Sequence, residues 1–198
     1  FGIPAAVGLM VLAGPMIATL FQSDVFDAND VAMAERSLMA YSFGLQAFIL
    51  IKVLAPGFYA RQDTRTPVRI GVIAMVVNML LNLALIFPLQ HAGLALATSL
   101  SAYLNAFLLL RNLRREGAYS PGPGWRRLAL QVGAAGCLMA VMLVWASPDL
   151  GSWVGADRLH RVGMLAGLIA LGAVVYFAVL LVSGVRLRDL RVRSPGAG

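Results

Sequence analysis

About 20 consecutive apolar residues are what a helix needs to cross a hydrocarbon core of about 30 Å, and this chain contains such stretches almost back to back. Phe1–Phe21, Ile70–Gln90, Ala92–Leu110, Leu128–Ser147 and Val162–Val185 carry no Asp, Glu, Lys or Arg; Ser37–Ala60 carries one, Lys52. Each is apolar around its whole circumference rather than along one stripe, so no face is reserved for water. Barrel strands are half as long and alternate in polarity. The expected fold is therefore all-α: a polytopic membrane protein with six transmembrane helices. Only 13% of the residues are charged against 60% hydrophobic, about half the charge that coats an ordinary soluble domain.

Punctuation divides the stretches. Thr66-Pro67 reads as an N-cap followed by proline at the first helical position, and the short Arg61–Arg65 link makes the second and third helices an antiparallel hairpin. Pro88 is expected to close the third stretch, with a turn of two to four residues into the fourth. Pro121-Gly122-Pro123-Gly124 breaks the chain between four helices in residues 1–113 and two in 128–185, leaving a linker over 114–127 and a basic tail over 186–198. The first stretch is too long for a signal-peptide core and shows no cleavage site. With no Met and no basic segment ahead of it, the expectation is a piece of a longer chain.

Charge sets the orientation. If the links alternate sides, the Arg61–Arg69 link, the Arg111–Arg127 link and the Arg186–Arg193 tail share one side and hold twelve of the sixteen basic residues. Arg36, Arg158 and Arg161 fall on the other, with most of the acids: Asp24, Asp27, Asp30, Glu35, Asp149 and Asp157. Basic links stay in the cytoplasm, which puts the C-terminus there. The same distribution accounts for the net charge of +7 without nucleic acid, for which no aromatic-interleaved basic patch exists.

Lys52 is the residue most suggestive of function. A cation at that depth costs roughly 3 kcal/mol on insertion scales and is expected to face a cavity or a partner; the alternative is a lysine snorkelling to the interface. At 100° per residue Tyr41, Phe48, Lys52 and Tyr59 form one stripe, and Pro56-Gly57 is expected to bend the last turn. Arg61-Gln62-Asp63-Thr64-Arg65 is the densest polar cluster, either a cytoplasmic gate or an anchor to anionic lipid. Asn78 and Asn82 share a helix face; they line a cavity or, as amides at this depth commonly do, bond neighbouring helices. Asn105 and Gln46 are read the same way. Ala95, Ser99, Ala102 and Ala106, and separately Gly163 and Gly167, have the small-residue spacing of close helix packing.

Catalysis finds no footing. His91 and His160 lie at helix ends, Cys137 is isolated, and no nucleophile–base arrangement, metal set or phosphate-cradling glycine loop can be assembled. The expectation is a non-enzyme with no cofactor and no metal.

The run Lys52-Val53-Leu54-Ala55-Pro56-Gly57-Phe58-Tyr59-Ala60-Arg61-Gln62-Asp63, followed by Thr66-Pro67-Val68, closely resembles the hallmark of the MviN/MurJ lipid II flippases. Asn82-Leu83-Ala84, Pro88-Leu89, His91 to Ala97, Leu104-Asn105-Ala106 and Pro123-Gly124-Trp125 resemble the same family, within a superfamily of multidrug, oligosaccharidyl-lipid and polysaccharide exporters. The resemblance implies the last six of fourteen helices in a two-lobed exporter: four of the second lobe, then a pair, Leu128–Ser147 and Val162–Val185, forming an apolar groove for a polyprenyl tail. It implies that Lys52 is functionally important; with the readings of the residues above, Lys52, Tyr59, Asn78 and Asn82 are expected to line a substrate cavity and Arg61, Gln62, Asp63 and Arg65 to form a cytoplasmic gate. The implied partners are a lipid-linked peptidoglycan precursor, membrane lipids and preceding helices of the same chain. Another exporter of the superfamily, or a structural subunit without a transport site, are the competing readings.

Overall fold

A computed structural model describes residues 2–21, 28–117, 124–148, 153 and 157–184. Within them the chain is helical: α1 (Gly2–Val11), α2 (Ala13–Phe21), α3 (Ala28–Tyr59), α4 (Arg65–Arg115), α5 (Trp125–Ala146) and α6 (Arg158–Val182). Asp24, Asp27, Asp149, residues 121–123 of the Pro-Gly break and the basic tail lie outside the described residues.

The expected helices are found, with two differences. The first stretch is a pair, α1 and α2, bent by 69° at Leu12. Leu12 and Met16 keep their bonds to the Gly8 and Leu12 carbonyls. Pro15 has no N–H to extend the ladder back to Val11, so the break sits where proline permits it. The third and fourth stretches are joined in α4, whose 51 residues would measure about 77 Å if straight. They are two arms, 65–89 and 91–115, broken at Gln90, which has φ 50° and ψ −127°. Pro88 does not end the first arm as expected, and the turn is a single residue. Gly93 makes it possible: a Cβ there would lie 2.3 Å from the Leu85 carbonyl oxygen, so only glycine lets the arms approach so closely.

Packing fixes the direction of each element. Ser99 Oγ donates to the Ala40 carbonyl (2.6 Å) and Tyr103 Oη to that of Phe43 (2.9 Å). Gly57 lies against Leu113, and Arg61 pairs with Glu116. Partner numbers rise together, so α3 and the second arm run parallel, and the intervening arm must return between them. Counting the bent pair as one span and each arm of α4 as another, the described residues hold up to six candidate spans by length and composition. The close approach of α3 and α4 rests on the small residues expected for it: Ala95, Ser99, Ala102 and Ala106 are all buried, and Gly44 sits directly on Ser99. The Gly163/Gly167 expectation is corrected. Both have open space around them among the described residues, and the tight contact of α6 is Gly172 against Met139 and Leu143.

The C-terminal pair docks on α1 and α2, through a core containing Leu12, Ala18, Met139, Leu143, Leu168 and Tyr176. Gln131 Nε2 donates to the Ser183 carbonyl at one end of that pair, and Arg161 donates to the Ala18 carbonyl at the other. The links thus alternate between two ends of the bundle.

Candidate functional site

α3 buries two faces. Gly44, Ala47, Leu54 and Phe58 turn toward α4; Glu35, Gln46 and Ile49 turn toward α1 and α2. Between them runs the expected stripe. Tyr41 and Tyr59 are 49% and 53% exposed, Lys52 is exposed, and Phe48 packs at the edge of the α3–α4 seam. Lys52 makes no hydrogen bond or ion pair among the described residues. It lies seven residues from the end of α3, about 10 Å along the axis. Nothing among the described residues pins its ammonium group.

Two features beside Lys52 escaped the sequence reading. α3 continues through Pro56 to Tyr59. Proline has no N–H for the carbonyl four residues back, and that carbonyl belongs to Lys52, so a free backbone oxygen accompanies the cation. The second arm of α4 adds a polar row. Parallel helices packed through Gly44/Ala47 and Ser99/Ala102/Ala106 present matched flanks. The flank continuing Lys52 carries Thr98, Asn105 and Asn112, spaced by seven, while the opposite one carries Phe43 and Tyr103 with ring centroids 4.9 Å apart. Thr98 and Asn112 return their side-chain bonds to their own helix, at Leu94 and Leu108. The spacing of seven was the available signal.

Asn78 and Asn82 are half-buried on the packed face of the first arm, and neither bonds Lys52 among the described residues. Asn82 Nδ2 donates to Asn78 Oδ1 at 3.4 Å, a long contact, and Asn82 Oδ1 is buried without a donor.

The polar cluster after α3 is a compact double cap. Asp63 N donates to the Phe58 carbonyl and Gln62 N to that of Tyr59, with Gln62 in a left-handed conformation at φ 59°. This is a Schellman ending with glutamine where glycine is usual. Asp63 Oδ1 then accepts from the backbone N–H of Arg65 and Thr66, both at 3.1 Å. The cap of α4 is therefore Asp63, upstream of the expected Thr66, because its carboxylate reaches two first-turn donors at once. The Thr66 hydroxyl, then the Thr66 and Arg65 N–H groups, hold the Asp63 carboxyl below its ordinary value. Arg65 is exposed, and Arg61 Nη1 pairs with Glu116 Oε2 at 2.9 Å, tying the ends of α3 and α4.

Elsewhere the described residues form a groove lined by apolar side chains. Pro4, Gly8, Leu12, Met139, Leu143 and Phe177 line much of this groove of about 360 Å³ between α1, α5 and α6. The C-terminal pair forms this groove together with the bent first helices. Among the described residues no three His, Cys, Asp or Glu side chains gather as metal ligands.

The chain is similar to known proteins. A family profile described as lipid II flippase MurJ matches residues 1–162. The probable lipid II flippase MurJ of Vibrio cholerae is 47% identical over 98% of this chain and 37% of its own length. That of Haemophilus influenzae is 45% identical over 98% and 38%, and the lipid II flippase MurJ of Burkholderia cenocepacia is 40% identical over 96% and 37%. The chain thus spans a little over a third of the length of these relatives. It belongs to the MurJ family of lipid II flippases.

Proposed function

We propose that this chain forms part of the path along which a lipid-linked peptidoglycan precursor crosses from the cytoplasmic to the periplasmic leaflet. Lys52 carries the reading: an unpaired ammonium on an uncovered flank of a spanning helix, beside the free Lys52 carbonyl and the Thr98/Asn105/Asn112 row. A cation at that depth is expected to meet a charge or water, and a phosphate-linked head group offers the opposite charge. Tyr59 extends this flank toward the basic end, and Asn78 and Asn82 add amide groups from the returning arm. The positive-inside pattern makes the Arg61–Glu116 end cytoplasmic, along with the C-terminus, in a bacterial inner membrane.

In this reading the double cap holds the α3–α4 link rigid, Arg61 and Glu116 latch it, and Arg65 offers a further cation at the entrance. Residues 1–113 belong to a lobe completed by other helices of the same protein, residues 114–127 link it to the C-terminal pair, and the apolar groove receives the lipid tail. Transport is alternating access: the head group binds from the cytoplasm, the lobes rock, and no covalent bond changes.

Growth complementation by the full-length protein tests this. Lys52→Ala abolishes growth at normal protein abundance, and Lys52→Arg retains part of it. Full growth with Lys52→Ala would remove Lys52 from the path and favour a structural role. For orientation, single cysteines at Asp63 and Asp157 are labelled from the cytoplasmic and outer sides respectively; the reverse pattern overturns the topology.

A further inference from the structure

At the end of the bundle opposite the Arg61–Glu116 pair, Met33 and Arg36 of α3 and Leu89, Gln90, His91 and Ala92 of α4 line a small pocket of about 40 Å³. We propose that this pocket binds a single phosphate group, apart from the Lys52 flank. Arg36 and His91 reach it from different segments, and neither has a hydrogen bond or ion pair among the described residues. Glu35, the neighbouring carboxylate, points about 100° around α3, and its carboxyl group lies against Gly14 of α2. It does not neutralise Arg36.

Size and depth fit the ligand. At about 10–15 Å³ for each water-sized group, the pocket holds about three, the scale of one phosphoryl group. Arg36 lies 23 residues before Tyr59, about 35 Å along the helix. A hydrocarbon core is about 30 Å thick, so the guanidinium stands at the level of lipid phosphates. A guanidinium presents a planar fork of donors suited to phosphate oxygens. Gln90 adds an amide beside a backbone conformation that glycine normally occupies, and such strain concentrates at ligand sites. Arg36 is about 160° around α3 from Lys52, so this site faces away from the proposed path. The occupant is a phosphate of a lipid head group or a free phosphate or diphosphate, recognised by the same chemistry.

The test uses full-length protein on a cysteine-free background, with Cys137→Ser, and one reporter, Leu89→Cys, on the pocket wall. Its reaction rate with an anionic thiol reagent is compared with that of a cationic one, in discs of zwitterionic phosphatidylcholine. The anionic reagent reacts faster, and millimolar inorganic pyrophosphate slows it. Arg36→Gln removes both effects and weakens protection roughly tenfold, the scale of one lost charged hydrogen bond; Arg36→Lys keeps part of it. Slowing by phosphatidylglycerol without added pyrophosphate identifies a lipid phosphate as the occupant, and slowing by pyrophosphate alone identifies a soluble one. No slowing by either, or protection that survives Arg36→Gln, overturns the site. Protection abolished by Lys52→Ala overturns it as well, by placing the anion on the transport flank; indifference to Lys52→Ala supports a separate site whatever the fate of the transport reading.

Discussion

Replacing Gly93 by alanine tests how the α4 hairpin is held. The new Cβ would stand 2.3 Å from the Leu85 carbonyl oxygen and 2.8 Å from its carbon, where ordinary contact begins near 3.4 Å. The obstructing atoms are backbone, so no rotamer change relieves them. The arms must separate by about 1.1 Å at Leu85, which is five residues or about 7.5 Å from the hinge at Gln90. That is a rotation of about 8°. Carried along a 25-residue arm of about 37 Å, it moves the far end by about 5 Å. The displacement would pull Ile70 from its site against Phe58 and Leu113. Overpacking of this kind costs about 1–3 kcal/mol. Spin labels at Val72 and Arg111, both exposed, measure the opening as a longer distance in the full-length protein, with a lower unfolding temperature. Gly71 is the control, with nothing within 4 Å of its Cβ position: Gly71→Ala leaves the distance unchanged and raises stability by about 0.5–1 kcal/mol through helix propensity. An unchanged distance and stability for Gly93→Ala would refute the close-approach argument.

Further outcomes follow from the same geometry. Gln62→Gly relieves a left-handed residue at the α3 terminus and stabilises the protein by about 1 kcal/mol, read as a higher unfolding temperature; a decrease would contradict the assignment of that ending. The Asp63 carboxyl is held below its ordinary value of 3.8. Its contribution is therefore complete above the unfolded pKa and lost as pH falls through the folded one. Asp63→Asn flattens this acid limb, and an unaltered profile would place the carboxylate away from the cap. Glu116→Gln breaks an exposed pair with Arg61 and changes stability by less than about 1 kcal/mol. A cysteine at Gly117 becomes more reactive from the side proposed to be cytoplasmic if that pair is a latch, and stays unchanged if the pair is ornamental. Gly44→Leu, at the tightest point between α3 and α4, separates them and lowers folded yield, whereas Gly133→Leu, with open surroundings, does not.

The placement of the candidate site on α3 was legible because it depends on composition at helical spacing. Lys52 stands out as the one charge in any apolar stretch, and 100° per residue places Tyr41 and Tyr59 on its stripe whatever surrounds the helix. The small-residue row of Ala95, Ser99, Ala102 and Ala106 was legible for the same reason. The Gly163/Gly167 pair was not, because small residues allow a close approach without supplying a partner, and the partner came to Gly172. The cap at Asp63 was missed because capping is decided by where a side chain reaches free N–H groups, and that depended on the left-handed turn at Gln62.

Chain length and hydropathy alone determined that this is a polytopic helical membrane protein and where its basic links fall, since a bilayer imposes span length and an absence of charge on any sequence. Tertiary structure decided what those rules leave free. It set the parallel seating of α3 on the second arm of α4, the single-residue reversal at Gln90 and the docking of the last two helices on the bent first pair. It also decided which flank of α3 was left uncovered for Lys52. These depend on close contacts between residues far apart in the chain, at Gly44 and Ser99 or at Met139 and Gly172, where an atom more or less decides whether two helices meet.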